Sequence, residues 1–546
     1  MDNRRRLSLT ALTGLAGFLA LSSVFVIPGI ATAGTPKAVA TPPASQPAAS
    51  SAEADAYQIG VSHNGYSADT TIVPPLAHRW SRTFTGSVSY PLITVGKVFV
   101  TVANNGSYGT ELYALNQATG ATVWSQPING LYNWSAAAYD AGRIFVLNYD
   151  GLMQAFDAAT GNLDWSANMP NQWAFTSAPT AANGIVYTGG AGHGGTVYAV
   201  SESNGALLWT QSVANGDDSS PALSGTGVYV SYACGLVYAF DPATGNEQWF
   251  SNGPCEGGGG KTPVYNAGLV YARDPINGNK ILNSSTGAQV GTFQADPAPA
   301  FDGNIGLFLS AGTLRGIEGG TTLWSFAGDG GLDTAPIAVR GIVYVGSGTG
   351  MLYGLNAASG KVVWSTNVGS GIPGPDEQNA VQLAGLSAGQ GLLAVPAGDQ
   401  LSAYSNTTTI GQVTGYHNLA LDDHHSGNTN GTPVDLYTPN GSGAQRWTFN
   451  ATQDSNGNYT GQLVNSNGMC ANDAGFGGAG SNVVLWGCTG TSNEAWTYWP
   501  KYKEYSVSYG GHTYCMNDPG YSTTPGVQQI VWTCPDTANE QYTLPH

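Results

Sequence analysis

An eleven-residue phrase that recurs along the chain constrains its fold more than any other feature. Its clearest copy runs from Ala155 to Trp165, with Asp third, Thr-Gly at the centre and Trp at the end. Similar copies span 114–124, 199–209, 239–249 and 354–364, and weaker copies span 281–291 and 316–324. A period of roughly forty residues indicates a chain built from repeated supersecondary units.

Each copy of the phrase predicts a β-hairpin. The Asp or Asn caps the backbone of the turn and the Gly takes a positive φ, so that the chain can return as a strand ending in Trp. An apolar strand pair, such as 184–188 with its neighbour, precedes each copy and gives about four strands per unit, the number in a propeller blade.

Two incomplete copies indicate how the ring closes. Trp80 ends a strand that no phrase precedes, whereas Leu401 starts a phrase that never reaches its Trp. If the N-terminal strand completes the last blade, no strand edge is left exposed. The closing strands near 80, 124, 165, 209, 249, 291, 324 and 364 then predict an eight-bladed β-propeller over 58–406.

The repeat resembles the PQQ-like, or quinoprotein-type, propeller unit. This resemblance implies a fold that is shared by quinoprotein alcohol dehydrogenases and by non-catalytic scaffolds of outer-membrane assembly. It does not imply a chemistry, because the repeated Trp and Gly residues can dock neighbouring blades without any ligand.

A second repeat with a longer period follows Ser405. Three closing motifs, at 445–447, 494–496 and 540–542, are each preceded by an apolar strand that ends in an aromatic residue. Three units of this size predict a β-trefoil over 407–546, so the whole chain is predicted to be all-β.

The second repeat resembles the ricin B-type lectin domain, a carbohydrate-binding trefoil. The resemblance implies that the closing aromatic is a core residue and that sugar is held by an acidic residue, an aromatic ring and an Asn. A carboxylate and an amide pair with sugar hydroxyls, and the ring stacks on an apolar sugar face. The positions in this sequence are Asp422 and Tyr437 in the first unit, Asn472, Trp486 and Asn493 in the second, and Asn517, Trp532 and Asn539 in the third.

Each unit departs from the family pattern. The first has Ala444 in place of the Asn, and the other two have Asn472 and Asn517 in place of the Asp. An Asp follows one position later in every unit, but a shift of one residue in an extended strand points a side chain to the opposite face. The second and third pockets are therefore predicted to bind with weakened or altered preference, and the alternative is a spacer domain with inactive pockets.

Six cysteines in an exported chain are expected to form disulfides. Two pairs occupy equivalent positions of the second repeat, Cys470 with Cys488 and Cys515 with Cys534. The remaining pair, Cys234 with Cys255, is predicted to bridge a loop of the fourth and fifth blades. We expect all three disulfides to be structural.

The N-terminus predicts export. Three arginines, an apolar run over 7–30 and the small residues Ala31-Thr32-Ala33 are typical of a signal peptide over 1–33, with a twin-arginine route left open. The Ala/Pro/Ser-rich stretch over 34–57 predicts a flexible spacer. A net charge of −17 argues against a nucleic-acid partner, and no later stretch is apolar enough to span a membrane.

The propeller shows no catalytic motif, and no metal or cofactor is expected. The eight His are scattered without metal-ligand spacing. Acidic residues precede inner strands at Asp217-Asp218, Asp333 and Asp376-Glu377, and aromatic residues in matching loops, Tyr90, Trp134, Trp173 and Phe175, either line the same mouth of the channel or cap the inner strands. We expect these carboxylates to be solvated loop groups, and the alternative is that they are catalytic acid/base groups or calcium ligands. PQQ and calcium are expected only if the channel is the active site of a quinoprotein.

The sequence thus predicts a secreted protein whose trefoil binds polysaccharide or glycan and whose propeller is a scaffold or a surface for a protein partner. One alternative is a quinoprotein-like oxidoreductase or another carbohydrate-active enzyme. The other is a structural cell-envelope protein with an inactive trefoil.

Overall fold

The structure is a computed structural model that describes residues 52–214, 216, 218–255, 258–406, 409–453 and 458–545. The chain divides into two units, 1–48 and 49–546, and all described residues belong to the second. The predicted signal peptide and most of the predicted spacer lie outside the described residues. So does Asp217.

Eight sheets form the blades of the propeller, as the repeat predicts, and each contains four antiparallel strands. We number the blades in the order of their first strands, which line the centre of the ring. The strands of blades 1–4 are Leu92–Thr94, Lys97–Ala103, Thr110–Asn116 and Thr122–Ile128; Ser135–Asp140, Arg143–Asn148, Leu152–Asp157 and Leu163–Asn168; Thr180–Ala182, Ile185–Ala191, Gly195–Ser201 and Leu207–Val213; and Ala222–Leu223, Val228–Tyr232, Leu236–Phe240 and Glu247–Ser251.

The ring closes as predicted, because the N-terminal strand Leu76–Thr83 pairs with the third strand of blade 8. Blade 7 gains a fifth, parallel strand, Tyr66–Ser67. The strands of blades 5–8 are Val264–Asn266, Leu269–Ala272, Asn279–Asn283 and Gln289–Phe293; Ala300–Asp302, Ile305–Ser310, Thr313–Glu318 and Thr321–Phe326; Ile337–Val339, Ile342–Gly346, Met351–Asn356 and Val362–Asn367; and Ser387–Gly389, Leu392–Ala397, Gln400–Asn406 and Leu76–Thr83.

The turn of the repeated phrase has the predicted chemistry. Asp157 Oδ1 accepts hydrogen bonds from the backbone N–H of Thr160, at 2.7 Å, and from its hydroxyl. Gly161 takes a φ of 75°, and a Cβ on it would lie 2.6 Å from the Trp124 ring of the preceding blade. The Gly is therefore needed twice, for the turn and for the docking of one blade on the next.

Residues 52–67 contact the ends of inner strands around the ring. Ala54 pairs with Ile93 in blade 1, and the backbone N–H of Leu223 in blade 4 donates to the Val61 oxygen at 2.7 Å. Tyr57 is fully buried. Residues 52–57, the described end of the predicted spacer, therefore pack within the propeller. Apolar side chains among them are buried against a surface that exists only in the closed ring.

The C-terminal domain is a β-trefoil, and the closing aromatic of each of its three units is buried in one core as the resemblance implies: Trp447, Trp496 and Tyr542. Its strands are Thr409–Gly411, Ala420–Asp422, Asp435–Tyr437, Trp447–Gln453, Tyr459–Asn465, Met469–Asp473, Val483–Gly487, Trp496–Trp499, Glu504–Tyr509, His512–Asn517, Val527–Gln528 and Ile530–Trp532. The described helical segments of the chain are short 3-10 turns at Ala233–Gly235, Tyr416–Asn418, Gly443–Gln445, Ala474–Phe476 and Ala538–Glu540.

The three predicted cysteine pairs are the disulfides of the structure. They join Cys234 to Cys255, Cys470 to Cys488 and Cys515 to Cys534. The first holds the segment after blade 4 against the turn between the second and third strands of that blade. The other two each close one unit of the trefoil beside a predicted pocket.

Candidate functional site

The second unit of the trefoil places its predicted site residues on one face of a hairpin. Strand Val483–Gly487 pairs with strand Met469–Asp473, and Trp486 lies directly opposite Cys470. Asn472 lies two residues after Cys470 in its strand. Residues two apart in a strand point to the same side, so the ring and the amide share a face. Trp486 is 44% exposed although its neighbour Leu485 is fully buried.

Hydrogen bonds fix the polar floor of this second pocket. Asn493 Nδ2 donates to Asn472 Oδ1 at 2.9 Å, and the Thr491 hydroxyl donates to Asn493 Oδ1 at 2.8 Å. Both amides are nearly fully buried. With Trp486 and Phe476 they line a cavity of about 230 Å³.

The third unit repeats this arrangement. Asn539 Nδ2 donates to Asn517 Oδ1 at 3.2 Å, and the Thr537 hydroxyl donates to Asn539 Oδ1 at 2.7 Å. Trp532, 46% exposed, and Tyr521 stand at the edge of a cavity of about 360 Å³ above the amides. Two pockets of the same design therefore lie on one domain.

The first unit is simpler, as the sequence indicates. Asp422 Oδ2 accepts a hydrogen bond from Gln445 Nε2 at 3.0 Å, and Tyr437 is the exposed aromatic. Ala444, at the position of the second amide, is buried and has no polar side-chain atom. This unit keeps the carboxylate and the ring but has no amide partner for a second sugar hydroxyl.

The replacement of Asp by Asn is paired with a second replacement that sequence reasoning overlooked. Where the first unit has Gln445 the others have glutamate, and the amide–carboxylate hydrogen bond is kept with its direction reversed. Asn472 Nδ2 donates to Glu494 Oε2 at 3.4 Å, and Asn517 Nδ2 donates to Glu540 Oε1 at 3.0 Å. Each unit thus has one carboxylate and one amide, exchanged between the two positions.

This exchange determines which atom each Asn presents to its pocket. Glu494 is fully buried, and its Oε1 accepts from the backbone N–H of Thr489 at 2.6 Å and from Gln462 Nε2 at 3.0 Å. A carboxylate accepts only, so the Asn472 amide group must turn its NH₂ toward it. The Asn472 carbonyl oxygen therefore faces Asn493 and the pocket, as a neutral acceptor in place of a charged one.

The Asp that follows each site residue lies on the other face of its strand, as the alternation of side chains predicts. Asp473 is fully buried and accepts hydrogen bonds from the hydroxyls of Tyr509 and Ser481. Asp423 and Asp518 are also fully buried. These carboxylates are interior groups and do not line the pockets.

Asp423 gives the trefoil a pH-dependent stability. Burial raises the pKa of its carboxyl to about 6, against the hydrogen bond that Asn465 Nδ2 donates to it at 2.7 Å. The folded state then binds the proton more tightly than the unfolded state, so stability falls as pH rises from about 4 to about 6.

We expect Asp423→Asn to remove this pH dependence. The variant should equal the native chain at pH 4 and exceed it at pH 8 by about 1 kcal/mol, once solvent screening is allowed for. Denaturant unfolding of the C-terminal domain at both pH values measures the difference. An equal effect at pH 4 and pH 8 would contradict this origin.

Sequence reasoning also missed the two threonines that hold the second amide of each pocket. Thr491 and Thr537 each lie two residues before that Asn. A signal was present, because Thr-x-Asn-Glu occurs at 491–494 and again at 537–540. Reading the motif as a unit would have shown both the threonine and the glutamate.

The acidic residues near the propeller channel are held by protein groups. Glu377 forms a buried ion pair with Arg273 at 2.7 Å, Asp218 accepts from the Thr176 hydroxyl, and Asp333 accepts from the Gly374 backbone N–H at 3.0 Å. Among the described residues no group of three or more His, Cys, Asp or Glu is placed to hold a metal ion. The charge of Glu377 is thus neutralised by a cation within the protein.

The matching-loop aromatics of the propeller divide into two kinds. Tyr90, Trp134 and Phe175 are buried and cap the inner strands. Trp173 is 55% exposed and meets the edge of the His193 ring with a centroid distance of 4.2 Å. The first three therefore serve packing, and only Trp173 is available on the surface.

Comparison with known proteins agrees with both domains. A family model described as outer membrane protein assembly factor BamB matches residues 74–220, 193–303 and 310–415, which together exceed half of the chain. The chain belongs to this BamB-like propeller family. Its C-terminal domain matches the ricin-type beta-trefoil lectin domain over 406–542, and such a domain points to carbohydrate binding.

Individual relatives of this BamB-like protein are distant. BamB of Yersinia pestis is 23% identical over 283 residues, which cover 47% of this chain and 63% of that protein. Quinoprotein alcohol dehydrogenase PedH of Pseudomonas putida is 27% identical over 147 residues, 24% of each chain. The chain thus matches less than two thirds of the length of these curated relatives.

A solved structure shows the same propeller fold. Quinohemoprotein alcohol dehydrogenase from Comamonas testosteroni superimposes with a TM-score of 0.51 at 14% identity, over 65% of this chain and 80% of that one. The three disulfides and the lectin domain fit an extracellular protein. No helix in the described part of the chain is long and apolar enough to cross a membrane.

Proposed function

We propose that this is a secreted carbohydrate-binding protein whose trefoil attaches the BamB-like propeller to polysaccharide through its second and third pockets. The observation that carries the proposal is the exposed Trp above a buried pair of asparagines, built twice from equivalent residues. A ring open to solvent stacks on the apolar face of a sugar, and the amides pair with its hydroxyls.

Burial supports this assignment of roles. Trp447 and Trp496 are fully buried and supply the packing that the trefoil core requires, whereas Trp486 and Trp532 are nearly half exposed. The core therefore does not require these two rings, and a pair of exposed Trp residues marks a binding surface.

The ligand should be a polymer. Each pocket presents a neutral carbonyl where a carboxylate would bind more strongly, so a single pocket is expected to bind weakly. Two weak pockets on one domain gain affinity when they engage the same chain or neighbouring chains. Insoluble or multivalent polysaccharide is thus favoured over free sugar.

The propeller acts in this proposal as a scaffold or as a recognition surface for a protein partner. The name of its Yersinia pestis relative, an outer membrane protein assembly factor, is consistent with a role in protein assembly. The proposal requires no cofactor.

The test is retention of the full chain on a panel of insoluble polysaccharides and immobilised glycans. We expect Trp486→Ala and Trp532→Ala each to weaken retention by about tenfold, from the loss of about 1–2 kcal/mol of stacking. The double variant should lose retention further than either single change.

Trp173→Ala is the matched control, because it removes an equally exposed Trp from the propeller. Its retention should equal that of the native chain. Retention that survives in the double Trp486→Ala, Trp532→Ala variant, or that is absent from every glycan with the native chain, would contradict the proposed function.

A further inference from the structure

One interface of the propeller lacks the contact that joins all the others. In seven interfaces a closing Trp packs against the next blade, and its indole N–H donates to a backbone oxygen there at 2.7–3.4 Å. The seven donors are Trp80, Trp124, Trp165, Trp209, Trp249, Trp324 and Trp364. Between blades 5 and 6 the closing position is Gly291, so no indole is present.

Both partners of the contact differ at this interface. In the blades that keep the Trp, the residue paired with it is Ala or Gly, whereas Gly291 is paired with the larger Ile281. The receiving turn of blade 6 is also shortened to Gly319-Gly320, both with positive φ. At this interface the ring is absent and the turn that would receive it is shortened.

A cavity of about 910 Å³ lies between blades 5 and 6 as a result. Its volume is several times that of the second trefoil pocket and lies in the range of ligand-binding sites. The Ile281 side chain occupies only part of the space in which the other blades hold an indole.

Four aromatic rings form part of the cavity wall, beside polar side chains that include Arg315 and Glu318. Tyr271, Phe293, Phe301 and Phe308 form one buried cluster, with centroids of Tyr271 and Phe301 4.7 Å apart. All four rings line the cavity, and the backbone of the Gly319-Gly320 turn closes one side of it. Aromatic rings beside the backbone of a turn match a planar ring that carries a hydrogen-bond donor.

We infer that this cleft is a binding site for a small planar aromatic molecule with an N–H or O–H donor. The seven equivalent interfaces indicate the chemistry, because each holds an indole whose N–H meets a backbone oxygen of the next blade. The site is separate from the trefoil pockets and does not depend on carbohydrate binding. A cavity with aromatic rings in its wall can bind a ring of matching shape where the ring that fills the equivalent interfaces is absent.

Indole is the probe for the test, measured by saturation-transfer difference NMR against the full chain. We expect saturable binding, and at least tenfold weaker binding of 1-methylindole, which keeps the ring but lacks the donor. The double variant Ile281→Ala, Gly291→Trp restores the pair found in other blades. Ile281→Ala is included because every blade that keeps the Trp pairs it with Ala or Gly.

The double variant should lose indole binding by at least tenfold, and its unfolding temperature should not fall. Ile281→Ala alone is the control, because it enlarges the cavity and should bind indole at least as well as the native chain. Absence of binding to the native chain, or equal binding to the double variant, would overturn the inference. Should the double variant fail to fold, electron density of indole soaked into crystals of the native chain decides, and density elsewhere only would overturn it.

Discussion

Replacing Asn472 by Asp is expected to lower the free energy of unfolding of the C-terminal domain by about 2–4 kcal/mol at pH 7. The new carboxylate would stand beside Glu494, whose Oε2 lies 3.4 Å from the present amide nitrogen, and both side chains are buried. Two such carboxyls cannot both ionise, so the pKa of one must rise.

The sign of the pH dependence follows from that raised pKa. The folded variant holds a proton that the unfolded chain releases, so the loss of stability is smallest near pH 4 and grows as pH rises to 7. Denaturant unfolding at both pH values measures it. A loss that is independent of pH would show that repulsion between these carboxyls is not the cause.

Adding Glu494→Gln to the Asn472→Asp variant should restore its stability. Asn472→Asp with Glu494→Gln reproduces the pair of the first unit, where Gln445 donates to Asp422 at 3.0 Å. We expect the double variant to lie within about 1 kcal/mol of the native chain, which gives a coupling energy of about 2–3 kcal/mol in a double-mutant cycle. Additive losses would contradict the reversed hydrogen bond.

Replacing Arg273 by Met is expected to destabilise the propeller by about 3–5 kcal/mol. Arg273 Nη2 lies 2.7 Å and 2.9 Å from the two Glu377 carboxylate oxygens, and both side chains are almost wholly buried. Burial opposes ionisation of Glu377, but Arg273 and then Lys261 outweigh it and hold the pKa of that carboxyl below its usual value. Without Arg273 the carboxylate would be buried with only weak compensation.

The pair matters because it spans the ring. Arg273 follows the second strand of blade 5, and Glu377 lies in the connection between blades 7 and 8. Glu377 also accepts a hydrogen bond from the Thr262 backbone N–H at 3.1 Å. Loss of this ion pair would therefore weaken a contact between blades that are not neighbours.

The double variant Arg273→Met, Glu377→Gln is the control for this prediction. It removes both charges but keeps an acceptor for Thr262, and should recover most of the stability. Denaturant unfolding of the full chain, followed at the propeller transition, gives the three values. A single variant that loses less than about 1 kcal/mol would show that the ion pair contributes little.

The fold and two of the disulfides could be predicted from the sequence because they depend on repeated local patterns. The third disulfide, Cys234 with Cys255, followed because no other cysteines remained. Each copy of the eleven-residue phrase contains the residues that form its turn and the residues that dock neighbouring blades, so each copy predicts one blade. The incomplete copies at Trp80 and Leu401 indicate how the ring closes for the same reason. In the trefoil, the nearly equal spacing of the cysteines and of the closing motifs predicts three equivalent units.

The site was predicted in part. Asn472, Trp486 and Asn493 meet in one pocket, and Asn517, Trp532 and Asn539 meet in another, as their positions in the repeat indicate. The supporting glutamates were overlooked, because each acquires meaning only beside an Asn that lies more than twenty positions away. The threonines lie two residues from their Asn, and the repeated Thr-x-Asn-Glu motif was a local signal for them.

The architecture of this protein could be predicted from its sequence, because strand periodicity, turn residues and repeat length act locally and recur. The packed fold was needed to show which atoms the pockets present, that residues 52–57 pack within the propeller, and that a cavity lies beside Gly291. Each of these depends on distances between residues far apart in the chain, such as Ile281 and the Gly319-Gly320 turn, and such distances are set by the packing of whole blades.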